Sequence, residues 1–103
     1  MNPGQMHTVA DDVADVMRAL AHPGRLAAMA ELTAGEVSSG ELARRLNVRE
    51  PAMSQQLAVL RKRGLVGTRR DGQTIYYSII RDDVTNLIRT LYALYCQDEV
   101  VSA

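Results

Sequence analysis

At Gly64 the chain changes period. Before it, apolar residues recur every three to four positions; after it, Leu65 to Arg70 and Gln73 to Ile79 alternate every two. Spacing of the first kind makes amphipathic helices and spacing of the second kind makes strands. Asp71-Gly72 between the two alternating runs is a strong hairpin signal. Upstream, Pro51 suits the first turn of a helix that reaches Arg63, with Gly64 at its C′ position. Before that lies a shorter helix, Gly40 to Leu46, with Ser38 and Ser39 as natural N-caps. Only Asn47-Val48-Arg49 joins the two, which is the spacing of a helix-turn-helix. A helix-turn-helix running directly into a hairpin predicts a winged helix: a mainly α (α+β) fold with a two-stranded wing.

The flanking segments complete one domain. Val9, Val13, Val16, Met17 and Leu20 recur at helical spacing, and His22-Pro23-Gly24 breaks that run. His22 reads as a local cap or a core-edge residue. A second helix follows to about Leu32, with Leu26, Met29 and Ala30 facing inward, and Thr33-Ala34-Gly35 ends it. Asp82 or Asp83 is expected to cap a last helix over 83–97, whose stripe is Val84, Leu87, Ile88, Leu91, Leu94 and Tyr95. Residues 1–8 are expected as a loose tail, 9–97 as the folded domain and 98–103 as a second tail. A chain of 103 residues suits one domain, and its 47% hydrophobic and 23% charged composition is that of a globular protein. No apolar run approaches a membrane span, and the N-terminus lacks the basic-then-apolar layout of a secretory signal. A single cysteine, Cys96, suits a reducing compartment. The expected location is the cytoplasm.

Net charge is zero, but it is unevenly spread. Residues 1–41 carry six carboxylates against two arginines, net −4; residues 44–70 carry eight cations against Glu50, net +7; residues 71–103 are net −3. A basic block of this kind is the footprint a polyanion would want. A solvated Arg-rich surface would look the same on charge alone.

The helix from Pro51 to Arg63 gives the block an address. Met53, Leu57 and Leu60 face the core; Pro51, Ser54, Gln55, Ala58, Arg61 and Lys62 face away. Ser54 and Gln55 fall in the first two turns, where a recognition helix meets base edges. Gln pairs bidentately with adenine, and Ser donates to or accepts from either base type. Arg49, Arg61 and Lys62 are placed for phosphates, as are Arg44 and Arg45 on the outer side of the preceding helix. Arg69, Arg70 and Gln73 at the wing would reach the backbone or a minor groove. Glu50 is an odd carboxylate among them. The last-helix and first-helix stripes are more than a small domain readily buries alone, so Val13, Val16, Met17, Leu20, Leu87, Ile88, Leu91, Leu94 and Tyr95 are expected at a homodimer interface. The chain shows no catalytic triad, paired-carboxylate set or Gly-rich phosphate loop, so no enzymatic role or cofactor is expected. A winged-helix module for protein partners, or a regulator independent of any effector, stays an alternative.

These stretches, "ALAHPGRLAAMAEL" (19–32), "SSGELARRLNV" (38–48), "PAMSQQLAVLRKRGLVGTRRDGQTIYYSI" (51–79) and "LIRTLYALYC" (87–96), resemble the ArsR/SmtB family of bacterial winged-helix repressors. The resemblance implies a homodimer on an imperfect palindrome in double-stranded DNA, released by an effector. Metal-sensing members place cysteines in the third helix or Asp and His along the last. Here Ser38 and Gly40 stand at the thiolate positions and the last helix has no His, so no metal is expected. "LYALYC" resembles a subgroup that answers reactive sulfur or oxidants (the BigR, SqrR and HlyU type). That subgroup pairs a cysteine in the second helix with one at the end of the last. Cys96 matches the latter, while the former falls at Ala30, so the resemblance implies no intrachain disulfide. Three readings stay open: Cys96 acts alone, Cys96 is inert, or Ala30 stands where a native thiol belongs.

Overall fold

The computed structural model describes residues 1–96. The elements run α1 (Pro3–Leu20), α2 (Pro23–Leu32), β1 (Val37–Ser38), α3 (Ser39–Leu46), α4 (Glu50–Lys62), β2 (Val66–Asp71), β3 (Thr74–Ile79) and α5 (Asp82–Tyr95). This is the winged helix-turn-helix expected from the change of period at Gly64. The core gathers Val16, Ala19 and Leu20 of α1, Ala28, Met29 and Leu32 of α2, Leu42 and Ala43 of α3, Met53, Leu57 and Leu60 of α4, and Val84 and Ile88 of α5, with Leu65 and Val66 closing it below the wing.

Four details differ from the sequence expectation. First, residues 3–8 are helical and not a tail. Asn2 caps α1 in a capping box: its side chain accepts from the Gln5 amide at 2.8 Å, while Gln5 Oε1 accepts from the Asn2 amide at 2.9 Å, and Pro3 fits the first turn. Second, the sheet has three strands in the order β1-β3-β2, because Val37 and Ser38 pair antiparallel with Tyr77 and Tyr76. Third, the hairpin loop is Gly72-Gln73, one residue later than expected, since Asp71 pairs with Thr74. Gly72 takes a positive φ of 63°, which a two-residue loop of this class asks of its first position. Fourth, Arg81 and neither aspartate is the N-cap of α5; Asp83 sits in the first turn, and its carboxylate accepts from Arg81 Nε at 3.1 Å and Nη2 at 2.6 Å. The expected end of the last helix at 97 and the tail 98–103 lie outside the described residues.

Two polar ties set how the helices cross. His22 caps α2, its Nδ1 accepting from the Gly24 amide at 3.0 Å. Arg25, one turn on, donates from Nε to the Ala19 carbonyl at 2.5 Å and from Nη1 to Gln56 Oε1 at 3.0 Å, which joins α1, α2 and α4. No described helix is long and apolar enough to cross a membrane.

Candidate nucleic-acid interface

The turn between α3 and α4 aims everything that follows. Ser38 opens α3, its Oγ accepting from the Glu41 amide at 3.2 Å. Asn47 ends it in the left-handed region (φ 55°, ψ 47°), donating to the Ala43 and Arg44 carbonyls. Asn is the side chain other than Gly that tolerates this conformation best, and it reverses the chain within one residue. Pro51 then starts α4, whose Met53, Leu57 and Leu60 are buried. Pinning that face exposes the other: Pro51, Gln55, Ala58, Arg61 and Lys62 are exposed and Ser54 is half-buried. The adjacent Gln56 is spent on Arg25, so Gln55 is the glutamine that faces outward.

The cations divide into two sets. Arg49, Arg61, Lys62, Arg63 and Arg70 have no ion pair among the described residues. Arg49 lies just before α4, Arg61 to Arg63 at its C-terminal end, and Arg70 near the wing tip. Arg44, Arg45 and Arg69 are each held by a carboxylate. Glu41 accepts from Arg44 Nε at 2.9 Å and from Arg45 Nε at 2.9 Å, and Glu31 accepts from Arg45 Nη1 at 3.2 Å. Hydrogen bonds from Arg44 and then Arg45 lower the Glu41 carboxyl to about 2. Arg69 donates to Glu36 and lies over the Tyr76 ring at 4.7 Å. Arg44, Arg45 and Arg69, expected among the DNA-facing cations, are all exposed, and each is paired with a carboxylate of its own chain. Arg63, counted in the basic block, is a further exposed cation at the C-terminal end of α4. The Glu41 pairs were visible as spacings of three and four on one helix. The Glu36–Arg69 pair spans 33 residues and leaves no local trace.

A polar groove runs between the head of α4 and the wing, lined by Ser39, Gly40, Glu50, Ser54, Gln73 and Thr74 among others. Glu50 lies on its wall, within 3.4 Å of the Ser39 hydroxyl that donates to it. Gln73 is exposed at the tip, as expected.

The expected dimer residues also divide. Val16, Leu20 and Ile88 are buried in the chain's own core and are unavailable to a partner, and Leu87 packs against that core. These positions lie where α1 and α5 turn toward the domain, which a one-dimensional stripe cannot distinguish from its outer side. Val13 (49%), Met17 (45%), Leu94 (60%) and Tyr95 (84%) are exposed, and Leu91 is half-buried. Met6 and Val9 extend the exposed line along α1, and Tyr92 that along α5. Cys96 is half-buried on the wall of an apolar cavity of about 350 Å³, with Leu26, Leu91, Tyr92 and Tyr95. Among the described residues, no three His, Cys, Asp or Glu side chains gather as metal ligands.

Known proteins share this fold. A family model described as a helix-turn-helix domain matches residues 15–69. The biofilm growth-associated repressor of Agrobacterium fabrum is 45% identical over 94 residues, covering 91% of this chain and 80% of the repressor. The transcriptional activator HlyU of Vibrio cholerae is 38% identical over 97 residues, 94% of this chain and 90% of its own. The structure of reduced HlyU matches with a TM-score of 0.85 over 89% of this chain and 97% of that one, at 37% identity. The homodimeric winged helix-turn-helix DNA-binding domain from Mycobacterium bovis (fragment 1–100) matches at 28% identity and a TM-score of 0.75, over 99% of this chain and 94% of that one. The helix-turn-helix with its wing, and relatives of this identity over nearly the whole chain, place the protein in the ArsR/SmtB family of DNA-binding transcriptional regulators.

Proposed function

We propose that the chain works as a homodimer that sets two α4 helices into successive major grooves of an imperfectly palindromic operator and represses the adjacent promoter in the cytoplasm. Gln55 and Ser54 read base edges; Arg49, Arg61, Lys62 and Arg70 hold phosphates; Gln73 follows the backbone at the wing. The observation that carries this reading is the outward face of α4, where Gln55 is unspent and cations stand at both ends of the helix. Two-fold symmetry would put equal helices about 34–36 Å apart, one turn of duplex. The exposed apolar lines of α1 and α5 supply the surface for the pairing.

The test is binding to the chain's own upstream DNA by fluorescence anisotropy across a salt series. A log–log slope of several units, with saturation at two chains per operator, supports the reading; a slope near zero overturns it. Any thiol-based response passes through Cys96, the chain's one sulfhydryl. Its chemistry would be that of a single thiolate: with peroxide, sulfur is oxidised to sulfenic acid and the peroxide is reduced to water. DNA release on peroxide treatment that Cys96→Ser abolishes would assign the sensor, and release that persists in Cys96→Ser would remove it.

A further inference from the structure

We propose that Glu36 is a positioning residue that withholds Arg69 from the duplex, so that the wing grips DNA through Arg70 and affinity for unrelated sequence is held down. This rests on the reading of the wing as a DNA contact.

The sheet register carries the argument. Arg69 pairs across the hairpin with Tyr76, and Tyr76 pairs with Ser38. Side chains directly opposite one another share a face, so Arg69, Tyr76 and Ser38 form one row. Glu36, two residues before Ser38 and just ahead of β1, comes to the same face one row over. On that face Glu36 accepts from Arg69 Nε with both oxygens at 3.1 Å, and Oε1 also accepts from Nη2 at 2.6 Å. The guanidinium is stacked on Tyr76 as it does so. A phosphate would use the same Nε–Nη2 edge of the fork. Arg69 can therefore take a phosphate only by giving up a carboxylate already held bidentately and a ring already covered. The exchange replaces one charge-assisted pair with another and adds little.

Arg70 is placed differently. It pairs with Ile75, on the opposite face, and Ile75 lines the groove shared with Ser54 and Glu50 at the head of α4. Arg70 has no ion pair among the described residues. The two adjacent arginines thus have separate employments: one braces the sheet and one is open to the duplex.

The experiment compares the full chain, Glu36→Gln, Arg69→Ala and the double variant on the operator and on a duplex of unrelated sequence, over a salt series. Glu36→Gln should bind unrelated DNA several-fold more tightly at low salt. Its log–log slope should steepen by about 0.9 per subunit, the value of one added phosphate contact. Arg69→Ala alone should leave the slope unchanged. The double variant should return to the wild-type slope, which separates release of Arg69 from the mere loss of a negative charge. An unchanged slope in Glu36→Gln would overturn the proposal, and so would an Arg69→Ala slope flatter by about 0.9 per subunit, which means Arg69 already holds a phosphate. The Arg69→Ala measurement decides the matter even where Glu36→Gln folds poorly. If Arg70→Ala also leaves the slope unchanged, the wing does not touch DNA, and the underlying reading fails with this one.

Discussion

Gln55 and Gln56 are neighbours with identical side chains and different tasks. Gln56 accepts from Arg25 and locks α4 to α2, whereas Gln55 points away from the core. Gln55→Ala should therefore erase preference at one adenine, worth about 1–3 kcal/mol, and leave binding to unrelated DNA alone. Gln56→Ala should lower the unfolding midpoint and leave base preference intact. Competition binding with single-base operator variants, beside urea titration, separates the two. Glu41 allows a second test at this scale. Its carboxyl is lowered from 4.5 to about 2 by hydrogen bonds from Arg44 and Arg45. A depressed folded value means stability that is fully present above 4.5 and lost as pH falls through about 2. Glu41→Gln should melt below wild type at pH 7, by a margin that shrinks as pH drops from 4.5 toward 2. Arg44 and Arg45 are exposed and Glu41 only half-buried, so the margin should be small and should narrow further in high salt. A margin independent of pH would mean that the Glu41 pairs contribute nothing.

Among elements, the turn between α3 and α4 matters most, because it converts a packing decision into a direction. Asn47 sits in the left-handed region, where a β-branched residue costs about 1–2 kcal/mol and Gly costs little. Asn47→Gly should keep both stability and DNA affinity. Asn47→Val should lose stability by about that cost, and should lose operator affinity as well, because α4 turns on this residue. Urea midpoints read against anisotropy decide it; a Val variant with wild-type affinity would show that the turn does not aim the helix. Elements like this were legible in the sequence because their causes are local. The spacing of Met53, Leu57 and Leu60, the proline at position 51 and Asp71-Gly72 all act within a few residues. What escaped had other origins. The early start of α1 depends on a side-chain cap by Asn2, and its first turns bury no residue in the core. The strand at Val37–Ser38 is two residues long and exists only because β3 offers an edge. The hold of Glu36 on Arg69 depends on that same edge, which brings together residues 33 positions apart.

At the scale of the whole molecule, one chain leaves an imbalance. α1 is 18 residues long, about 27 Å, yet its buried residues are Val16, Ala19 and Leu20, all in the last turn or so. The remainder carries Met6, Val9, Val13 and Met17, exposed at spacings of three and four, and α5 exposes Tyr92, Leu94 and Tyr95 beyond its buried Ile88. A helix held to its domain at one end and apolar on an outer line is marginal alone in water. Two-fold pairing would bury those lines and fix the separation of the two α4 helices in one step. Met17→Glu with Leu94→Glu places charges on both lines while leaving Val16, Leu20 and Ile88 in the core. The expected product is a folded monomer by sedimentation, with less helical signal because the outer turns of α1 fray. Its affinity for one half-site should match that of a wild-type subunit. Its affinity for the full operator should fall by roughly 10²–10⁴, the range that linking two binding modules adds. A variant that sediments as a dimer and keeps full operator affinity would move the interface elsewhere. A monomer that keeps full affinity would mean that each α4 acts independently and that the palindrome has no structural basis.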